Sequence, residues 1–93
     1  MSAIHIIKLE QDGCMPCKAL DFAINANMDA IESAGATIES HNVTHEPKLV
    51  EHYGISGTPT LIFYRNGVEM ARLSGKVAFA EILDAIEYAK EAR

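Results

Sequence analysis

At 93 residues the chain has room for one domain and not for two. Nearly half of it is apolar, which is enough for an ordinary core without a stabilising staple. A formal net charge of −5, with both signs interspersed along the chain, excludes the clustered basic face of a nucleic-acid-binding surface.

Residues Ala3 to Leu9 carry Ile4, Ile6, Ile7 and Leu9, a near-continuous apolar run that predicts a strand covered on both faces. The opening MSAIHIIKLE lacks a basic lead-in and a small-residue cleavage pattern, so it reads as a strand rather than a signal peptide. No apolar run approaches the roughly 20 residues that span a bilayer, and the expectation is a cytoplasmic protein without membrane association. After a turn at Gln11-Asp12-Gly13, a helical segment reaches Ser33. Within it Leu20, Ile24, Met28 and Ile31 repeat at three- and four-residue intervals as one buried stripe, and Gly35 supplies a C-terminal stop.

Thr37 to Val43 reads as the second strand. Thr44 is a candidate cap for a short helix with Leu49, Val50 and Tyr53 on its inner face and Gly54 at its end. Thr60 to Tyr64 is β-branched and aromatic, the Asn66-Gly67 pair signals a tight hairpin, and Val68 to Leu73 is the return strand. Phe79, Ile82, Leu83 and Ile86 mark an amphipathic final helix. The order β-α-β-α-β-β-α predicts a single α/β domain over residues 1–93, with a four-stranded mixed sheet flanked by three helices.

Both cysteines fall in DGCMPCKAL, with Cys14 at the junction of strand and helix. Unpaired N–H groups and the positive end of the helix dipole favour an anion there, and a thiolate is such an anion. Its pKa falls from the ordinary value near 8.5, which makes the sulfur both nucleophilic and a good leaving group. Pro16 suits the first helical turn, where a missing N–H costs nothing. Cys17 lies one turn further in, within bridging distance and more buried. A redox couple is one reading of the pair; core filler is another, since free cysteine is often buried. Zinc is a third, because His41 and His45 have H-x3-H spacing and could complete four ligands with Cys14 and Cys17 in a zinc-stabilised binding module. The gap between the two pairs is longer than usual finger spacing, and the core needs no metal. Far away in sequence, Thr58-Pro59 precedes a strand. A cis bond there would turn the Thr58 backbone toward the cysteines.

The segments C-M-P-C-K (Cys14 to Lys18) and Y-G-I-S-G-T-P-T-L-I-F-Y-R-N-G (Tyr53 to Gly67) resemble those of thioredoxins, and Gly75 follows the hairpin as the family's third active-site segment does. The resemblance spans nearly the whole chain. It implies a thioredoxin-like fold and a thiol–disulfide oxidoreductase that reduces protein disulfides. Cys14 would be the exposed attacking thiolate, Cys17 the resolving thiol, and Pro59 a cis proline that leaves the Thr58 backbone free to pair with a substrate strand. Met15, Pro16, Gly57, Thr58, Pro59 and Gly75 would line a shallow groove for an extended peptide. The resemblance implies a monomer needing no cofactor, with a thioredoxin-reductase-type flavoprotein as electron donor. Glutaredoxin, a glutathione-dependent relative, is the competitor by size. Its site adds paired glycines and an acid after the hairpin, whereas Ser74-Gly75-Lys76-Val77 has one glycine and no acid.

Four departures from the family stand out. The family's opening strand and helix are missing, Gly13 replaces a tryptophan, and Met15 replaces a glycine. Lys8 stands where a buried aspartate is expected, and Ser40 replaces that aspartate's usual lysine partner. Lys8 is either a solvated residue at a strand end or a cation beneath the site. In the second case it would favour the Cys17 thiolate and lower that residue's pKa.

Overall fold

A computed structural model describes residues 3–92. The apolar run at the start forms β1 (Ile4–Glu10), the first of two inner strands of one four-stranded sheet. β1 pairs in parallel with β2 (Ala36–Asn42) and antiparallel with β3 (Thr60–Arg65). β4 (Val68–Ser74) continues antiparallel beyond β3, giving the order β2-β1-β3-β4. Asn66 and Gly67 both hold positive φ, of 53° and 80°, which is what a tight hairpin with the natural strand twist demands.

The period of two along β1 assigns its residues to two cores. Ile4 and Ile6 join Leu61 and Phe63 against Leu20, Ile24, Ile31, Ile82 and Ile86 from the helices on one face. Ile7 and Leu9 join Ile62 and Val43 on the other, where Leu49, Tyr53 and Ile55 cover them. Helices therefore lie on both sides, and the expected α/β architecture is present.

The first helical segment is not continuous. It divides into α1 (Met15–Ala26) and α2 (Met28–Ser33) at Asn27, so the flanking helices number four rather than three among the described residues. The cause is local: the Asn27 side-chain amide donates to the Ala23 carbonyl at 2.7 Å, the acceptor its own backbone N–H would have used. That N–H turns to Ile24 instead, at 3.0 Å. The predicted stripe survives the break, with Leu20, Ile24 and Ile31 buried and Met28 packed against them.

α3 (Lys48–Tyr53) begins four residues later than Thr44, which does not cap it; Pro47 occupies the capping position. Thr44 is held elsewhere, because its N–H donates to the Asn42 side chain and its hydroxyl accepts from the Asp12 N–H, each at 2.9 Å. Leu49 and Tyr53 face inward as predicted, but Val50 is exposed. Gly54 ends the helix in the left-handed region. Arg72 on β4 donates to the Tyr53 carbonyl at 2.8 Å and forms a two-pronged pair with Glu69, anchoring the end of α3 to the sheet. α4 (Phe79–Glu91) starts with the Glu81 carboxylate accepting from the Ala78 N–H. It ends with the Arg65 guanidinium on the carbonyls of Ala89, Lys90 and Ala92. No helix among the described residues is long and apolar enough to cross a membrane.

Candidate active site

The end of β1 delivers the chain into the turn at 11–13, where Gly13 takes a φ of 75° that other residues adopt only at a cost. Cys14 then stands at the N-cap of α1 in an extended conformation. Its sulfur accepts the Cys17 N–H at 3.2 Å, filling one of the orphan donors that every helix start presents. Pro16 lies in the first turn and withholds no needed donor. Cys14 and Cys17 are joined as a disulfide with their Cα atoms 5.2 Å apart. Cys14 is 8% exposed and Cys17 4%, so both are buried in the bridged form and Cys14, expected to be exposed, is only slightly the more open of the two.

Opposite the bridge runs the 56–59 loop. The Thr58–Pro59 peptide is cis, and the Thr58 carbonyl oxygen lies 3.7 Å from Cys14 Sγ. The loop is fixed from two directions: the Thr60 hydroxyl donates to the Gly57 carbonyl at 2.7 Å, and the Gly75 N–H donates to the Pro59 carbonyl at 3.0 Å. The structure thus brings three distant segments, around positions 14–17, 57–59 and 75, to one end of the sheet. Met15 and Pro16 are exposed and line a groove of about 400 Å³ with Ala19, Leu20, Lys76 and Val77. A larger concavity, about 510 Å³, lies at the opposite end between the β3–β4 hairpin and α4, far from the sulfurs.

Lys8 is not solvated. It is 3% exposed, on the sheet face that α1 covers, and its ammonium pairs with Glu10 on β1 and Asp21 on α1. Sequence reading missed both partners. The signal was available, because Lys8 shares the inward period of Ile4 and Ile6, and Asp21 follows Cys17 by one helical turn. A second missed feature is the strut behind the cysteine turn, where Asp12 accepts from the Asn42 amide at 2.8 Å in addition to its N–H bond to Thr44.

His41 and His45 take other partners than the cysteines. His41 bonds Glu39 and Glu46, and His45 lies 3.6 Å from Asp12. The two carboxylates, Glu39 first, push the His41 pKa up, and the bonds from His41 and then His5 hold the Glu39 carboxyl below its ordinary value. Among the described residues no cluster of three or more His, Cys, Asp or Glu side chains is arranged to hold a metal ion.

Comparison with known proteins agrees with this geometry. The thioredoxin family profile matches residues 2–88. The SPbeta prophage-derived thioredoxin-like protein YosR of Bacillus subtilis is 32% identical over 73 residues, covering 77% of this chain and 82% of its own. The thioredoxin of Chlamydia trachomatis is 32% identical over 74 residues, covering 80% and 71%. Among solved structures, a mutant thioredoxin from Halobacterium salinarum superposes with a TM-score of 0.82 at 23% identity, covering 97% of this chain and 77% of that one.

Proposed function

The chain belongs to the thioredoxin family and is a thiol–disulfide oxidoreductase; on that premise we propose that it reduces disulfides in protein substrates, with Cys14 attacking and Cys17 resolving. The observation that carries the proposal is the redox pair at the start of α1, with its outer sulfur facing the Thr58 carbonyl across a narrow gap.

In the reduced protein the Cys14 thiolate attacks one sulfur of the substrate disulfide. That S–S bond breaks, one substrate thiolate leaves, and Cys14 is held in a mixed disulfide. Cys17 then loses its proton and attacks Cys14 Sγ, releasing the second substrate thiolate and forming the Cys14–Cys17 bridge. Two electrons pass from the dithiol to the substrate, and no other carrier is needed. The Cys17 N–H, which accompanies the Cys14 sulfur, stabilises charge on it both when it attacks and when it is displaced. Pairing of an extended substrate strand with the Thr58 backbone, and packing against Met15, Pro16, Gly57, Pro59 and Gly75, would orient the target sulfur in line.

The regenerating donor in this reading is a thioredoxin-reductase-type flavoprotein, and the working form is a cytoplasmic monomer. The decisive experiment is trapping. Cys17→Ser should accumulate a mixed disulfide with a protein substrate through Cys14, and Cys14→Ser should trap nothing. The reverse pattern would exchange the two roles. Turnover coupled to a flavoprotein reductase, measured beside turnover coupled to glutathione, tests the donor.

A further inference from the structure

The resolving step requires a nearly buried thiol to give up a proton. Cys17 is on the inner side of the first turn of α1, and the elements near this end of the helix carry few charged groups. β1 contributes Lys8 and Glu10. α1 contributes Asp21 and the exposed Lys18, and the segment after β4 contributes Lys76. β2 and β3 bring Ser40 and Leu61 alongside Lys8, neither of them charged. α4 presents Ile82, Ala85, Ile86 and Ala89.

Asp21 follows Cys17 by four residues, so both lie on one side of α1. α1 runs back along β1, and four helical residues cover about the same 6 Å as two strand residues. The turn bearing Asp21 therefore lies over Lys8, and the turn bearing Cys17 lies toward the Glu10 end. The Asp21 side chain is 39% exposed, open to water on one side and held by the buried ammonium on the other. One ammonium shared by two carboxylates leaves a surplus negative charge, which a single added proton removes. A buried lysine of this kind persists only because it is paired.

We infer that Asp21 receives the Cys17 proton during resolution of the mixed disulfide, with Lys8 and Glu10 as positioning residues that hold its carboxylate in place. The inference rests on the reading of Cys17 as the resolving thiol. In this proposal the transfer across one helical turn runs through one solvent water. The Cys17 S–H bond breaks, and the proton passes through that water to an Asp21 oxygen. The freed electron pair forms the bond to Cys14 Sγ as the Cys14–substrate bond breaks. The substrate sulfur leaves as a thiolate and is protonated from solvent, and Asp21 returns its proton to water.

The test is rapid mixing of the reduced protein with an aromatic disulfide whose thiolate is coloured, giving one burst for attack by Cys14 and a second for resolution by Cys17. Asp21→Asn should slow the second phase about ten-fold or more near pH 6, with the gap closing toward about pH 9, where water and hydroxide suffice. Its first phase should stay within about two-fold of wild type, because general-base help is needed only for the buried thiol. Glu10→Gln should have the smaller effect on the second phase. Lys8→Met, which leaves two uncompensated carboxylates, should move the second-phase midpoint to higher pH. If Lys8→Met does not fold, the two amide variants keep their shape and decide the matter. An unchanged second phase in Asp21→Asn, equal slowing of both phases, or a larger loss in Glu10→Gln would overturn the assignment. A wild-type protein lacking the first phase would overturn the role of Cys14, and this inference with it.

Discussion

Leu20 holds the cysteine-bearing helix onto the sheet and also forms part of the groove beside Met15 and Pro16, so its truncation tests how the site is supported. The side chain is 2% exposed. Leu20→Ala deletes three buried carbon groups worth about 0.8 kcal/mol each, and the residual cavity raises the total to about 3 kcal/mol. A domain of this length is stable by about 5–14 kcal/mol, so the variant folds but loses a substantial share. Its melting temperature should fall by roughly 12–24 °C, at 4–8 °C per kcal/mol. The assay is urea unfolding of the oxidised protein, which keeps the crosslink identical in both states. Phe22→Ala is the internal control: Phe22 is on the same helix but 79% exposed, and its loss should cost no more than about 0.5 kcal/mol. A Leu20→Ala cost below about 1 kcal/mol, or equal costs for the two variants, would refute the packing assignment.

Gly13→Ala should lose about 1–2 kcal/mol from its left-handed backbone alone, since no atom lies within 4 Å of the added carbon, whereas Gly57→Ala should be neutral or up to about 1 kcal/mol more stable. Both are read by the same unfolding assay. Arg72→Met removes the bonds to the Tyr53 and Gly54 carbonyls together with the pair to Glu69, and should cost about 1 kcal/mol with faster amide exchange at the end of α3. The raised His41 pKa contributes stability fully present below the ordinary 6.5 and lost as pH rises through the raised value. The lowered Glu39 pKa contributes stability present above 4.5 and lost as pH falls through the lowered value. His41→Gln should therefore flatten the stability profile on both sides of that window, and identical profiles for variant and wild type would remove the cluster from the pH response.

The parts of the fold that the sequence made legible are those in which one residue's neighbours along the chain determine its place. The near-continuous apolar run marks β1 as a strand covered on both faces, the Asn66-Gly67 pair marks the hairpin, and Cys14 before Pro16 marks the start of α1. Thr58-Pro59 became informative only beside the cysteine motif. What stayed hidden depends on partners remote in sequence or on side-chain competition. Asn27 breaks a helix whose apolar stripe continues unbroken, because one amide takes a backbone acceptor. Thr44 has the chemistry of a cap, but Asn42 and Asp12 engage it first. Lys8 presented two placements, and only the meeting of β1 with α1 distinguishes them.

The Asp12 bonds to Asn42 and Thr44 have a mechanical consequence. They make the approach to the reactive sulfurs and the crossing from β2 to α3 a single braced corner, so an insertion near position 44 would be transmitted to the sulfur end of the molecule without touching either cysteine. Length changes that surface connections normally absorb should be poorly tolerated there. The β3–β4 turn, at the other pole of the sheet, is the freer place to graft a tag or a reporter.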